Sequence, residues 1–247
     1  MPRHMEVALC GLGMLFLAPL FLAIAILLKI SSNGPVFFKQ RRLGQYGRPF
    51  DLIKFRSMVH CPQDNGPLVT ANGDRRVTTL GLILRRTKID ELPQLWNVLR
   101  GDMSLVGPRP EVPRYVERYP DLFKLVLQQR PGITDICTVQ LRNEELLLAQ
   151  SEDPEHYYVN QLLPRKLAAS IRESWRRTFL RDMRVLVATV VPFLHWLSPL
   201  PDFRPLADLY TMPEEQLSFM AAASGSDVNM AEDIHELPRA ANANIGA

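Results

Sequence analysis

The chain has 247 residues, of which 47% are hydrophobic and 22% charged, and its formal net charge is +3. This length can bury one substantial core and add an anchor or a tail. The three cysteines and five histidines are scattered along the chain. That scatter excludes a disulfide framework and argues against a histidine-ligated metal site.

Charge is distributed unevenly along the chain. Residues 39–109 contain 13 Lys/Arg against 6 Asp/Glu, whereas residues 201–247 contain 2 Arg against 8 acids. The basic segment indicates an anionic partner such as phosphate, nucleic acid or acidic lipid. Nucleic acid is the disfavoured choice, because the basic segment has no recognisable binding module and adjoins a strongly apolar one.

That apolar segment, residues 7–28, contains no charged side chain. It is long enough to span a bilayer as a helix, and no A-x-A cleavage site follows it. Basic residues are more numerous after the segment than before it, which predicts that the body of the protein is cytoplasmic. Pro19 interrupts the helical hydrogen bonding. A kinked spanning helix and a re-entrant hairpin both fit this pattern.

Two short strands are predicted after the anchor. Val36 to Phe38 can form a short buried strand, residues 50–55 alternate in part as a half-buried strand would, and Gly44 and Gly47 mark a turn between them. We therefore expect a small β-hairpin.

Basic side chains accompany this hairpin. Lys39, Arg41 and Arg42 lie near the membrane segment, and they suit anionic headgroups as well as a substrate phosphate. Lys54 and Arg56 flank Phe55 further from the anchor, so a substrate-phosphate role is predicted for both.

An adjacent acid pair, Asp90 and Glu91, precedes an amphipathic helix with apolar residues at i, i+3, i+4 and i+7: Leu92, Leu95, Trp96 and Leu99. Pro93 fits only the first turn of that helix. The pattern thus predicts Asp90 at or near the N-cap and Glu91 at the first helical position. A purely capping role for Asp90 is one reading.

The other reading is catalytic. Arg85, Arg86 and Lys88 precede the pair, and the positive end of the helix dipole favours ionised carboxylates. An acid held ionised there is a competent nucleophile or metal ligand. Capping and catalysis do not exclude each other.

Two proline-bounded turns follow and present arginines. Gly107-Pro108-Arg109-Pro110 holds Arg109 between prolines, and Arg130 precedes Pro131-Gly132. An arginine in a rigid turn loses less entropy on binding a phosphate. Both are therefore candidate phosphate ligands.

The motifs GPVFFKQRRLG, FDLIKFRSM, DELPQLWNVLRGDMSLVGPRPE and RPGIT occur in this order. Together they resemble the bacterial monotopic phosphoglycosyl transferases, the polyprenol-phosphate sugar-1-phosphate transferases that begin surface polysaccharide and glycoconjugate synthesis. The resemblance extends from the anchor to about Leu194. It implies a UDP-sugar donor, a polyprenol phosphate (undecaprenyl phosphate) acceptor and a place at the cytoplasmic face of the bacterial inner membrane.

The resemblance also implies roles for individual residues. The residue matching Asp90 attacks the sugar-linked phosphate, expels UMP and carries a covalent intermediate. Glu91 helps hold Mg²⁺ on the diphosphate, while Arg85 and Arg109 grip phosphates. Lys54, Arg56 and Arg130 lie in family motifs, which implies phosphate binding for them as well.

Three positions depart from the family pattern. Ala18-Pro19 stands where Ser-Pro is usual, and Ala cannot satisfy a freed backbone group in the way that Ser can. Glu6 stands where an Asp is usual near the start of the anchor. Asp74-Arg75-Arg76 replaces Asp-Pro-Arg. None of these positions belongs to the implied catalytic set.

The predicted fold class is α+β and helix-rich. Residues 1–32 form a re-entrant membrane anchor that interacts with lipids, and residues 33–200 form a compact cytoplasmic catalytic domain. Residues 201–247 form an acidic, partly disordered tail. Residues 165–193 read as one helix that serves the core or lies amphipathically on the membrane surface. A homodimer is an open alternative.

Two other functions are weighed against the transferase. One is a second kind of membrane phosphotransferase acting on nucleotide-activated lipids, which would need an Asp-rich metal motif that this sequence lacks. The other is a non-enzymatic basic membrane adaptor in which Asp90 is only a cap.

Overall fold

The computed structural model describes residues 1–59, 70, 73–141, 144–175 and 177–190. The tail predicted over residues 201–247 lies outside the described residues. The described part is a helix-rich α+β fold with two small sheets, which confirms the predicted fold class at that level.

The N-terminal apolar segment forms one helix, α1 (Arg3–Ser31), which continues through Pro19. Within the described part it is the one helix long and apolar enough to cross a membrane. Most of its surface is exposed, but a stripe of side chains is buried against the rest of the fold: Glu6, Cys10, Ile24 and Leu28. The helix is therefore packed along one side, at both of its ends.

The predicted hairpin is confirmed. Strand β1 (Phe37–Leu43) pairs antiparallel with β2 (Pro49–Phe55), with Phe37 opposite Phe55 and Leu43 opposite Pro49. The first strand is not buried as predicted, because Phe37 and Phe38 are 42% and 48% exposed, and it extends beyond the apolar run that predicted it. The extension carries basic and polar side chains that are mostly exposed or half-buried, so hydrophobicity gave no signal for it.

Buried Asn97 fixes the next helix against this hairpin. It lies on α3 (Gln94–Arg100) and is fully inaccessible to solvent. Its Oδ1 accepts from the Ile53 amide at 3.1 Å, and its Nδ2 donates to the Asp51 carbonyl at 2.8 Å. One side chain thus satisfies two backbone groups of β2, and this sets the position of the turn that precedes α3.

The second sheet joins the two proline-bounded turns. Strand β3 (Ser104–Val106) pairs in parallel with β4 (Gly132–Thr134). A methyl group on Gly132 would lie 2.1 Å from the Gly107 amide nitrogen. Only glycine permits this approach of the two backbones. The backbone at Gly107, before Arg109, is therefore fixed against the backbone at Gly132, after Arg130.

The remaining elements are helical. They are α2 (Thr79–Arg86), α4 (Pro113–Val116), α5 (Pro120–Val126), α6 (Ile136–Gln140), α7 (Glu144–Ala149), α8 (Pro154–Tyr157), a π-helical segment (Tyr158–Leu162), α9 (Leu163–Trp175) and α10 (Phe179–Val190). The largest core includes Leu122, Phe123, Leu148 and Leu163, from α5, α7 and α9. Helices α2 and α10 instead pack in the two cores that α1 also joins.

The single helix predicted over residues 165–193 is wrong, because α9 ends before Thr178 and α10 begins after it. The Thr178 carbonyl accepts from the Asp182 amide, and its hydroxyl accepts from the Arg181 amide at 3.3 Å. A threonine that accepts in this way starts a new helix.

Candidate active site

Asp90 and Glu91 lie in a 3-10 turn (Ile89–Glu91) between α2 and α3, and both side chains are buried. Lys88 adopts a left-handed conformation, with φ of 55°, where the chain reverses after α2. Helix α3 begins later than predicted, and Asp90 makes no capping hydrogen bond. The N-cap prediction for Asp90 is therefore wrong: the turn, and not the first turn of α3, holds the pair.

Glu91 is held by two cations from separate elements. Lys54 Nζ, from β2, lies 2.7 Å from Glu91 Oε1, and Arg109 Nη2 lies 2.5 Å from the same oxygen. Arg109 Nη1 lies 3.5 Å from Glu91 Oε2. Burial alone would raise the pKa of Glu91, but Arg109 and Lys54 outweigh it and hold that pKa well below its usual range. Glu91 is therefore ionised.

Asp90 has the opposite environment. Its Oδ1 is buried and has no hydrogen-bond partner among the described residues. Burial raises the pKa of Asp90, although Lys54, Arg85 and Lys88 act against that rise. An unpartnered buried carboxylate oxygen is costly to maintain. It also keeps its lone pairs free for bond formation, as a nucleophile requires.

A cavity of about 160 Å³ is connected to this pair through Lys88 and through Arg109, the partner of Glu91, although neither acid is itself a lining residue. Its wall carries five cations and several acids: Arg42, Arg85, Lys88, Arg109, Lys166, Glu111, Glu144 and Glu145. Arg85 Nη2 lies 2.6 Å from Glu145 Oε1. Two of the predicted phosphate ligands, Arg85 and Arg109, thus line one cavity, and Lys54 joins them through Glu91.

The structure does not bring Arg56 to this cavity. Its side chain is 4% exposed and donates to the carbonyls at the end of α1. Nη1 lies 2.9 Å from the Asn33 oxygen, and Nη2 lies 2.9 Å from the Leu28 and Ser32 oxygens. Arg56 therefore satisfies the open carbonyls at the end of the anchor helix, and a phosphate-binding role for it stays a prediction.

Arg130 also lies apart from the acid pair. It lines an open pocket with Arg3 and Arg177, and that pocket shares no lining residue with the cavity beside Asp90. The parallel β3–β4 pairing explains the separation, because the arginines leave the paired segments at different ends: Arg109 follows β3, whereas Arg130 precedes β4.

Sequence reasoning missed several cavity residues, chiefly Glu111, Tyr158, Lys166, Glu144 and Glu145. Glu111 directly follows the Arg109 turn, so its position in the chain was a usable signal. The others come from α7, the π-helical segment and α9. Nothing in their local pattern distinguishes them from ordinary core or surface residues.

A divalent cation would find few protein ligands here. The described residues contain no group of three or more His, Cys, Asp or Glu able to hold a metal ion. Asp90 and Glu91 supply two adjacent carboxylates. Mg²⁺ is usually held by one or two carboxylates together with substrate phosphates and water. The residues therefore fit a Mg²⁺ ion that shares its coordination with a phosphate ligand.

A membrane-length apolar helix, a buried acid pair and an arginine-lined cavity are together the features expected of an enzyme that handles phosphates next to a membrane. The sequence matches the model of the bacterial sugar transferase family over residues 1–195. The chain belongs to this family, and it is a transferase.

Curated relatives agree. The chain is 39% identical over 204 residues to the UDP-glucose:undecaprenyl-phosphate glucose-1-phosphate transferase of Caulobacter vibrioides, covering 78% of this chain and 69% of that protein. It is 34% identical over 177 residues to the exopolysaccharide production protein ExoY of Sinorhizobium fredii, covering 64% of this chain and 76% of that protein.

A third relative is matched over a shorter part. Identity is 42% over 135 residues to the UDP-N-acetylgalactosamine-undecaprenyl-phosphate N-acetylgalactosaminephosphotransferase of Aeromonas hydrophila. That alignment covers 53% of this chain but only 32% of the Aeromonas protein. The relatives thus differ both in length and in the sugar that their names specify.

Proposed function

We propose that this protein transfers a sugar-1-phosphate from a UDP-sugar to polyprenol phosphate (undecaprenyl phosphate) and releases UMP, through a covalent intermediate on Asp90. The observation that carries the proposal is the buried, unpartnered Asp90 Oδ1 beside the ionised Glu91 and its two cations. The product would begin polysaccharide or glycoconjugate synthesis at the cytoplasmic face of the membrane.

The reaction has two displacements. An Asp90 oxygen attacks the phosphorus that bears the sugar, and the bond from that phosphorus to the bridging oxygen breaks. UMP leaves with the bridging oxygen and its electron pair. A phosphate oxygen of polyprenol phosphate then attacks the same phosphorus, and the Asp90 carboxylate is regenerated. Such transfers depend mainly on positioning and on stabilising charge.

Cavity cations provide that stabilisation. Arg85 and Arg109 line the cavity, and planar guanidinium groups suit bidentate contacts to phosphate oxygens. Lys54 contributes by holding Glu91. Arg130 stays a predicted phosphate ligand, for a group bound in its own pocket.

Glu91 would be the main protein ligand of Mg²⁺, which when bound neutralises charge on the phosphates. Arg109 and Lys54 keep the Glu91 carboxylate ionised and fixed in direction before any metal binds. Glu91 is therefore the side chain whose replacement should weaken Mg²⁺ binding most.

The contacts of α1 support a re-entrant anchor over a spanning one. At 1.5 Å per residue a helix of this length extends roughly 43 Å. Near its start, Arg3 donates to the Val98 and Met103 carbonyls. At its end, Arg56 donates to the Leu28 and Ser32 carbonyls. Because both ends contact the same folded body, we infer that residues 1–32 enter and leave the membrane on one face.

Helix α10 supports contact with the membrane surface. Its exposed apolar side chains include Phe179, Leu180, Val187 and Val190, at 44%, 69%, 51% and 55% exposure. Arginines on the same helix suit anionic headgroups. We therefore include α10 in the membrane-facing surface of the catalytic domain, residues 33–200.

The test is UMP release by purified protein with Mg²⁺, undecaprenyl phosphate and a panel of UDP-sugars. UDP-glucose and UDP-N-acetylgalactosamine come first, because they are the donors in the relatives' names. We expect release with at least one donor and none from Asp90→Asn. Release unchanged in Asp90→Asn would favour another mechanism, and no release with any donor would favour the adaptor function.

A further inference from the structure

Arg42 contacts the segment that follows Arg109 and is largely buried there. Its Nη1 lies 3.0 Å from the Pro110 carbonyl oxygen and 3.2 Å from Glu111 Oε2. The Leu43 amide, next in β1, donates to the Glu111 carbonyl at 3.1 Å. The β-hairpin therefore grips the residues immediately after Arg109 through both side chain and backbone.

Glu111 is held from its other side by Tyr158. The Tyr158 hydroxyl donates to Glu111 Oε1 at 2.6 Å, and both side chains are buried. Lys166 Nζ lies 3.3 Å from the Tyr158 hydroxyl and 3.2 Å from both oxygens of Glu144. A continuous series of polar contacts thus runs along one wall of the cavity and links β1, the Arg109 turn, the π-helical segment, α9 and α7. Its members are Arg42, Glu111, Tyr158, Lys166 and Glu144.

Tyr158 is the first residue of the π-helical segment, which spans Tyr158–Leu162 between α8 and α9. Wider turns of this kind are uncommon and are frequent at functional sites, because they redirect side chains that a regular helix would point elsewhere. Burial and the adjacent Glu111 raise the pKa of Tyr158 far above neutral pH. Its hydroxyl therefore stays protonated and donates to Glu111.

We propose that Arg42, Glu111 and Tyr158 are positioning residues that hold the Arg109 guanidinium in the direction needed to bind the donor's phosphates. This inference rests on the proposed transferase function. Among the described residues, the Arg109 guanidinium has hydrogen bonds to Glu91, and the side chain is 30% exposed. Fixing Pro110 and Glu111 from both sides limits how far the turn can shift.

Simple core packing does not account for this arrangement. Arg42 and Glu111 have side-chain exposures of 17% and 7%, and an apolar pair of similar volume would fill the same space at least as favourably. Each residue in this series of contacts also lines the cavity. An ionic wall next to a phosphate-handling arginine is better explained by orientation than by stability.

A double-mutant cycle tests the proposal. Glu111→Gln and Tyr158→Phe keep shape and remove the charge or the hydroxyl, while Arg109→Gln removes the group that they are inferred to position. We expect Glu111→Gln to raise KM for the UDP-sugar roughly tenfold or more, since small misplacements of binding groups have large kinetic effects. In the Arg109→Gln background the same change should alter KM less than about twofold, because coupled residues are non-additive.

Tyr119→Phe is the matched control. Tyr119 also donates its hydroxyl to the π-helical segment, at 3.1 Å from the Val159 oxygen, but it does not line the cavity. We expect its KM to equal that of the wild type, whereas Tyr158→Phe raises KM severalfold. Equal effects in the two variants, or an additive Glu111–Arg109 cycle, would overturn the inference.

UMP affinity, measured by calorimetry on the same variants, separates this inference from the proposed function. Failure of the wild type to turn over any donor would refute the function. In that case the positioning role could still be supported. The support would be a loss of UMP affinity in Glu111→Gln equal to the loss in Arg109→Gln. UMP affinity in Glu111→Gln equal to that of the wild type would overturn it.

Discussion

Arg109 and Glu91 form a forked ion pair, with Nη2 2.5 Å from Oε1 and Nη1 3.5 Å from Oε2. Lys54 shares Oε1 at 2.7 Å. The neighbouring Asp90 receives no such support, and its buried Oδ1 is unpartnered among the described residues. Two adjacent acids therefore have opposite environments, which supports a division between a fixed charged group and a free nucleophile.

Asp90→Asn should stabilise the fold. The substitution keeps the shape of the side chain and removes a buried charge whose Oδ1 has no hydrogen-bond partner among the described residues, so the unfavourable burial is reduced. We expect Tm at pH 7 to rise by roughly 2–4 °C, which corresponds to about 1 kcal/mol for a domain of this size. Differential scanning fluorimetry of wild type and Asp90→Asn in the same detergent measures this difference in Tm.

Asp51→Asn is the control for that change. Asp51 is half exposed and pairs with Arg41 at the surface, where ion pairs contribute little. Its Tm should equal that of the wild type. A fall in the Tm of Asp90→Asn would indicate that the Asp90 carboxylate stabilises the fold after all.

Glu91→Gln should destabilise the fold at neutral pH. It leaves the Arg109 and Lys54 charges without their counter-ion, a change that costs about 2 kcal/mol or more when a largely buried pair is broken. The folded-state pKa of Glu91 is depressed. Its stabilisation is therefore present above the ordinary glutamate pKa and is lost as pH falls toward the folded-state pKa.

The Tm of wild type and Glu91→Gln should accordingly converge as pH falls below about 4.5. Exposed Glu117 supplies the control, because Glu117→Gln should follow the wild-type curve at every pH. A constant gap between wild type and Glu91→Gln across the acidic range would contradict the ionised state assigned to Glu91.

Arg56→Gln should reduce stability without affecting donor binding. The change removes donors from the Leu28, Ser32 and Asn33 carbonyls at the end of α1. We expect a lower Tm and an unchanged KM for the UDP-sugar below the unfolding transition. Arg85→Gln, in the cavity wall, should instead raise KM for the UDP-sugar and leave Tm nearly unchanged. A raised KM in Arg56→Gln would restore its predicted phosphate role.

Gly132→Ala should prevent correct folding around β3 and β4. The added methyl group would lie 2.1 Å from the Gly107 nitrogen and 2.5 Å from the Gly107 oxygen, so backbone must move. Gly11→Ala introduces a methyl group with nothing within 4 Å and serves as the control. Yield of monodisperse protein and UMP release should be lost only in Gly132→Ala.

The hairpin and the acid pair could be predicted from sequence because their signals are local. Alternating residues and glycines predict β1 and β2, and flanking cations mark Asp90 and Glu91. The exact role of Pro93 could not be read in this way. A proline tolerated in a first turn is equally tolerated just before the helix, which is where the structure has it.

Contacts between residues far apart in the sequence could not be predicted, for a different reason. Lys54 and Arg56 are two residues apart and looked equivalent, yet β2 ends at Phe55 and the two side chains reach different partners. Arg56 contacts Leu28, and Tyr158 contacts Glu111, across 28 and 47 residues. No periodicity encodes such contacts, because they depend on how separate elements pack.

The most direct test of the central claim is intact-protein mass spectrometry after incubation with Mg²⁺ and a UDP-sugar without polyprenol phosphate, with UMP measured in parallel. A covalent Asp90 intermediate predicts a mass increase equal to one sugar phosphate and up to one equivalent of UMP per protein, with neither in Asp90→Asn. Adding undecaprenyl phosphate should remove the adduct. UMP release that occurs only when the acceptor is present, with no adduct on the wild type, would contradict a covalent Asp90 intermediate.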